Sequence, residues 1–441
     1  MLEQPQTCGI EVYSVIMEED RGSPLFKYPV SDFLLTVGGL VFFLLDVGLD
    51  AWAVVSFYQE EDYVFMGLLV FLLLGSSALV QAFSWLWYHY DKDGTETRTE
   101  SLVKNLCSLK ILHFFQMGVY LRYAGVVRIS ICGFCCGKRY MDGDAVYLTH
   151  DLSLLRLIEA FSESTPQLVL MITIIVQRGE VEPITILKAL GSASAIAVSV
   201  TMYHRSLRSF LPDKAKQGWF SSVVYFLWNL LLIGPRVAAV ALFASAFPCF
   251  ITAHFLSSWM VLFFFAWRLK TDFMDSAGGE WLYRATIGLI WYFSWFNVIK
   301  GDTRCQSTLY HTWIGVDIGM LCGVWVWQMK KNPPYFELPL DPYVILGIMI
   351  SFYIVGLGLK VIYYKYSHPK ITQLREDERC LEPEPRSEPE DLTSDSHDEV
   401  DCRLMSHRMG PTEPVKTLSD PPDPVIRVNK RMRNLADNFY S

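Results

Sequence analysis

Apolar residues run almost without interruption from Phe33 to Phe57. That is about 25 residues, enough for one helix to cross a hydrocarbon core of roughly 30 Å. After an acidic turn at Glu60, Glu61 and Asp62, a second run from Tyr63 to Tyr88 ends in Trp85, Trp87 and Tyr88. Aromatic residues of this kind gather at the interface where a spanning helix leaves the bilayer. Further apolar runs near 182–204, 219–246, 249–268, 281–299, 307–328 and 342–364 read as spans. Two stretches break the pattern. Leu106 to Tyr123 carries Lys110, His113, Gln116 and Arg122, which makes it interfacial or partly inserted. Asp151 to Gln177 has a charged first half, DLSLLRLIEAFSES, and an apolar second half, TPQLVLMITIIVQ. Pro166 stands at the junction, where it removes an N–H and crowds the preceding turn.

Charges that interrupt the apolar runs are the candidate chemistry. Asp46 and Asp50 lie one helical turn apart on the same face of the first span. A charge at mid-membrane costs on the order of 3 kcal/mol and needs a cationic partner, water or a proton. Arg156, Glu159 and Glu163 fall within about 60° of one helical face. They are the natural counterparts to the two aspartates, unless Asp46 and Asp50 are simply hydrated near a helix end and 151–164 is a cytosolic amphipathic helix. Arg236 interrupts LLIGPRVAAVALF and Asp317 interrupts WIGVDIGML, and mutual or shared pairing is the cheapest way to keep both.

Composition agrees with a membrane protein: 51% hydrophobic, 14% aromatic and only 19% charged. The net charge of −8 is concentrated in an acidic tail from Glu376 to Asp401, and nothing suggests nucleic-acid binding. Residues 1–32 are acidic and do not read as a cleaved signal peptide, so the first span is expected to remain as an anchor. Basic residues follow three spans: Arg205, Arg208, Lys214 and Lys216; Arg268 and Lys270; Lys330 and Lys331. The positive-inside bias places these loops and both termini in the cytosol. The expected fold is an all-α polytopic membrane protein with eight full crossings and two segments, in the 106–177 region and in the second half, that enter only partway. On that topology Cys249 and Cys305 lie in extracellular turns, where a disulfide can persist, although two distant free thiols fit as well. The cluster CGFCC, with Cys132, Cys135 and Cys136, lacks a fourth zinc ligand. It reads either as a palmitoylated basic juxtamembrane patch or as unmodified thiols. No sequon for N-glycosylation occurs, and no metal or cofactor is expected.

The domain plan is a cytosolic segment 1–32, a helical membrane domain 33–367, an acidic disordered tail 368–424 and a basic amphipathic helix 425–441. The tail contains Asp398-Glu399-Val400-Asp401, the preferred cleavage sequence of executioner caspases, in a setting where a protease can bind an extended strand. In the last segment Val425, Val428, Met432, Leu435 and Phe439 follow helical spacing, with Arg427, Lys430, Arg431 and Arg433 covering the other faces.

The strings LLDVGLDAW, AFSWLW, LRLIEAFSESTPQL, YHRSLRSFLP, SSVVYFLWNLLLIGPRVAAVALF, TDFM, EWLYR, YFSWFNV and NKRMRNLADNFY resemble the XK-related family of membrane proteins, over about residues 33 to 367 and weakly into the tail. The resemblance implies eight transmembrane helices plus two re-entrant ones in two similar halves. It also implies a stack of intramembrane charges that falls here on Asp46, Asp50, Asp151, Arg156, Glu159, Glu163, Arg205, Arg236 and Asp317. Two positions depart from the family pattern: Met202 stands where an acidic residue precedes Tyr-His-Arg, and Phe65 stands where a lipid-gating Trp is found. Family members travel to the plasma membrane with a single-span immunoglobulin-type partner, basigin or neuroplastin.

The function implied is caspase-activated, ATP-independent phospholipid scrambling that exposes phosphatidylserine in apoptosis. Val428, Met432, Leu435 and Phe439 would act as an autoinhibitory plug, or the helix would bind the anionic inner leaflet. Homo-oligomerisation after cleavage is left open. No P-loop indicates ATP-driven flipping, and no enzyme activity is expected. An ion channel or transporter, or a scaffold without transport, would also use intramembrane Asp, Glu and Arg. An irreversible proteolytic cut suits a death signal better than ion homeostasis.

Overall fold

The computed structural model describes residues 30–90, 109–136, 141–179, 183–210, 217–298, 303–333 and 340–367. Among them every regular element is helical. The first half of the chain contributes α1 (Val30–Gln59), α2 (Tyr63–Tyr90), a short α3 (Leu109–Phe114) hairpinned onto α4 (Gly118–Cys136), α5 (Met141–Glu159), α6 (Thr165–Arg178) and α7 (Pro183–Phe210). A π-helical turn, Ala160–Ser164, joins α5 to α6. The second half follows with α8 (Trp219–Ala246), α9 (Pro248–Arg268), α10 (Ala277–Phe293), α11 (Arg304–Lys331) and α12 (Pro342–Ile362). Six helices, α1, α2, α8, α9, α11 and α12, are long and apolar enough to cross a membrane. The continuous α5–α6 rod and α7 run beside them at comparable length. The chain is a multi-pass all-α membrane protein.

Contacts at the two ends of the bundle fix its direction. Arg205 at the end of α7 reaches Asp32 at the start of α1 and Ser222 at the start of α8. Tyr90, ending α2, meets Ser276 just before α10. At the other end Arg178, closing α6, pairs with Glu60 and Asp62 between α1 and α2, while Gln177 bonds Ser245 near the end of α8. The same order therefore occurs twice: up, down, a partial insertion, up, down. The insertion is the α3–α4 hairpin in the first half and α10 in the second.

Packing explains this arrangement. Helix α8 is the axis, buried along most of its length and carrying the small residues Ala239, Ala241 and Ala244 inward. Gly356 lets α12 lie against it: a Cβ there would meet Leu232 at 2.9 Å and Leu231 at 3.1 Å. Gly288 does the same for α10 against the backbone of Phe263 at 3.1 Å. Outward, α1, α2, α9 and α12 expose residues such as Phe42, Trp52, Phe71, Met260 and Ile354. An exterior this apolar needs hydrocarbon around it.

Two expectations are corrected by the chain direction. The run 281–299, one of the apolar runs, is the second-half segment that enters only partway. Helix α10 has 17 residues, and beyond it the chain turns back, so that Phe296 packs on Tyr203 of α7 at 5.4 Å. That missing crossing reverses α11. Ser307 near its start meets Lys360 at the end of α12, and Lys330 at its end lies over the ring of Tyr343 at the start of α12. Lys330 and Lys331 thus lie at the end of the bundle opposite Arg205 and Arg268. Cys249 and Cys305 are separated likewise. Both are free and exposed, Cys249 beside the end of α8 and Cys305 beside Ser307, whose partner Lys360 lies over Trp228. From Trp228 to the end of α8 is about 27 Å at 1.5 Å per residue, far beyond the reach of a disulfide.

Candidate functional site

In α1 the inward stripe is Thr36, Phe43 and Asp50, spaced by seven, so the face turned to the bundle carries a carboxylate. Across from it stand Arg156 and Glu159 at the end of α5 and Glu163 in the π-helical turn. Pro166 explains the turn. It offers no N–H, and the N–H of Thr165 reaches back five residues to the carbonyl of Ala160, which also accepts the Thr165 hydroxyl at 2.7 Å. The wider turn brings Glu163 to α1. One carboxylate oxygen each of Asp46, Asp50 and Glu163 lies within 4.8 Å of the others.

Arg156 pairs with Glu159 and covers the ring of Phe43 at 4.6 Å. Gln167 donates to Asp50 Oδ1, and the Glu163 carboxyl lies within hydrogen-bond reach of the same side chain. Beside them is a cavity of about 290 Å³ lined among others by Phe43, Asp50, Gln81, Tyr120, Glu159 and Glu163. Its far wall is neutral. Ser77 donates to the Gln116 side chain, while Gln81 donates to the Gln116 carbonyl and accepts from the Gly118 N–H. Chemically, three converging carboxylates can hold a cation or share protons. The oxygen set alone is also compatible with a divalent metal ion.

The second half carries a paired counterpart. Arg236, on α8 and fully buried, bonds Asp317 of α11 at 2.5 Å and the Tyr292 carbonyl at 3.0 Å, with the Tyr292 ring 4.7 Å away. His254 of α9 bridges Asp317 at 3.2 Å and the Tyr292 hydroxyl at 3.0 Å. The two halves have opposite polarity. The first helix carries acid in one half and Arg in the other; the fourth helix carries the Arg156–Glu159 pair or Asp317.

The remaining expected charges are placed singly. Asp151 pairs with Arg122 of α4 at 3.2 Å, and Arg205 with Asp32 at 2.9 Å. Phe65 is not on the cavity wall. It packs in a small apolar cluster with Leu69, Leu170 and Ile174 and lies 6.2 Å from the Phe57 ring. Sequence reasoning missed Gln167, Gln81, His254 and Lys360 as parts of polar networks, because single amides, His or Lys in apolar runs give no pattern. Lys360 bonds Ser307 at 2.8 Å and His311 at 2.7 Å. Cys132 is a free, half-buried thiol. The Asp398–Asp401 motif and Val428, Met432, Leu435 and Phe439 lie outside the described residues, as do the side chains of Cys135 and Cys136.

A family model described as XK-related protein matches residues 34–369. XK-related protein 8 of Tetraodon nigroviridis is 44% identical over 353 residues, covering 79% of this chain and 86% of that protein. XK-related protein 8 of Gasterosteus aculeatus is 44% identical over 359 residues, covering 80% and 87%. XK-related protein 8 of Pan troglodytes is 35% identical over 412 residues, covering 93% and 94%.

Proposed function

The chain belongs to the XK-related family, and we propose that it is a passive, ATP-independent phospholipid scramblase of the plasma membrane, opened when a caspase cuts its tail. The observation that carries this reading is the acid-lined cavity inside a bundle whose outer surface is apolar. A headgroup crossing the bilayer pays for leaving water unless polar groups replace it. The first-half carboxylates and the amides facing them supply such groups while acyl tails remain in lipid. In the second half the Arg236–Asp317–His254–Tyr292 network serves to hold the bundle together. The protein acts as a transporter in this reading, and not as an enzyme.

Control is assigned to the tail. Cleavage after Asp401 separates residues 402–441 from the membrane domain, and a tethered inhibitor that is cut is lost by dilution. Phosphatidylserine reaches the outer leaflet once Val428, Met432, Leu435 and Phe439 no longer plug the path. Cytosolic termini and a single-span immunoglobulin-type partner such as basigin or neuroplastin complete the proposal. Reconstitution in liposomes tests it: cut protein should exchange labelled lipid between leaflets without ATP, and intact protein should not. Ion flux without lipid exchange would select the channel reading. Replacing Leu435 and Phe439 with Asp should open the uncut protein, and Asp401→Ala should keep the otherwise unaltered chain shut. A double variant that stays inactive until cut would remove the plug.

A further inference from the structure

Resting on the scramblase reading, and deepening it, we infer that Gln116, at the tip of the α3–α4 hairpin, receives the phosphodiester of a lipid where the first-half cavity opens sideways, with Tyr120 as its companion donor. Near the end of α1 the rings of Phe57 and Phe65 meet at 6.2 Å, and nearer its start Phe43 stacks on Tyr123 of α4 at 5.9 Å. Between these two contacts Val47 and Ala51 are exposed on the outer surface and also line the cavity. Gln116 does the same from the other side. The cavity thus has a side window framed by α1, α2 and the hairpin tip. The window is deep. Ser77 of α2, which bonds Gln116, stands 14 residues from Tyr63 and 13 from Tyr90, about 20 Å from either end of the helix.

An exposed carboxamide on a non-helical turn is costly at that depth unless it lines a polar path. The backbone of Gln116 is also left-handed, with φ at 62°, a conformation that strains a side chain of this length. Its acceptors are occupied: Ser77 donates to Oε1 at 2.8 Å, and Gln81 donates to the main-chain carbonyl at 2.9 Å. Held by its oxygen, the carboxamide keeps its N–H groups for the cavity, since no acceptor among the described residues takes them. Tyr120 adds a hydroxyl to the same lining, its ring set against Phe43 at 5.2 Å. Hydrogen bonds to an ionised oxygen are roughly twice as strong as those to a neutral one, so these donors favour the phosphodiester over an acyl ester. They stand on the neutral wall, away from the carboxylates. Every glycerophospholipid carries a phosphodiester, whatever its terminal group, so recognition here is independent of that group.

The test has a transport arm and a contact arm, both with caspase-treated full-length chain in liposomes. Gln116→Met keeps length and bulk but has no N–H to give. It should slow tail-labelled phosphatidylcholine, phosphatidylserine and phosphatidylglycerol alike, by about fivefold, with Tm in detergent unchanged. Tyr120→Phe, which removes one hydroxyl, should slow the three by about threefold. In the contact arm, phosphatidylcholine carrying a diazirine in its headgroup is photoactivated with unaltered protein, and peptide mapping should find the label within residues 116–120. Should Gln116→Met not fold, Tyr120→Phe and the photolabel decide the matter. Unslowed variants, slowing of one lipid alone, or label confined to the ends of the bundle would each overturn the inference. The scramblase reading survives all three so long as unaltered protein moves lipid. If unaltered cut protein moves none, the scramblase reading fails, and label within 116–120 would still uphold the contact.

Discussion

Arg236 and Asp317 form an ion pair in which each charge needs the other, whereas Asp50 is one of several carboxylates crowded together. Neutralising them should have opposite consequences. Arg236→Met leaves Asp317 with only His254 and should cost on the order of 3–5 kcal/mol, seen as a large drop in Tm in detergent and in surface expression. Adding Asp317→Leu should restore most of that stability, since a buried pair replaced by apolar residues is often neutral. Asp50→Asn removes one of three mutually repelling groups within 4.8 Å while keeping the shape that receives Gln167. It should leave Tm unchanged or higher and lower lipid movement. If Asp50→Asn destabilises as much as Arg236→Met, the carboxylates are structural.

Helix α12 reaches α8 only because Gly356 has no side chain, and the α1–α2 turn is held by Arg178 at the end of α6. Gly356→Leu should force α12 off Leu231 and Leu232, at about 1–3 kcal/mol, read by thermal unfolding. The clamp is exposed, so each of its pairs contributes under about 1 kcal/mol. Glu60 nonetheless carries a pH signature: the hydrogen bond from Arg178 holds its carboxyl below the ordinary value of 4.5. A depressed folded value means that the stabilisation is complete above about pH 4.5 and is lost as pH falls through the lower folded value. Proteolysis at the α1–α2 turn should therefore stay constant from pH 7.5 to 5.5 and rise only in stronger acid. Arg178→Ala should raise it at neutral pH and remove the acid dependence.

Across the whole molecule, the partial insertion of α10 decides which residues share a side of the membrane. Cys249 and Cys305 lie at opposite ends, so an impermeant maleimide added to intact cells should label one of them and reach the other only after permeabilisation. Single-cysteine variants read this directly. Labelling of both from outside would mean that 281–299 crosses the membrane after all. The same experiment places Lys330 and Lys331, which lie at the end of the bundle opposite Arg205 and Arg268.

Hydropathy alone established a polytopic helical bundle, since about twenty consecutive apolar residues admit few other structures, and it marked Asp46, Asp50, Arg236 and Asp317 as charges needing partners. The strings shared with the XK-related family supplied two similar halves. What one-dimensional patterning left open was direction and pairing. A 17-residue apolar helix that turns back carries the same hydropathy as one that crosses, so only the contact of Phe296 with Tyr203 shows the return. Pairing depends on which faces meet: Arg122 with Asp151, Asp32 with Arg205, Gln167 with Asp50 are separated by 29 to 173 positions in the chain. The cavity is likewise a product of packing. Its acids were legible one by one, but the π-helical turn that swings Glu163 toward α1, and the neutral wall from α2 and the α3–α4 hairpin, exist only once the helices are assembled.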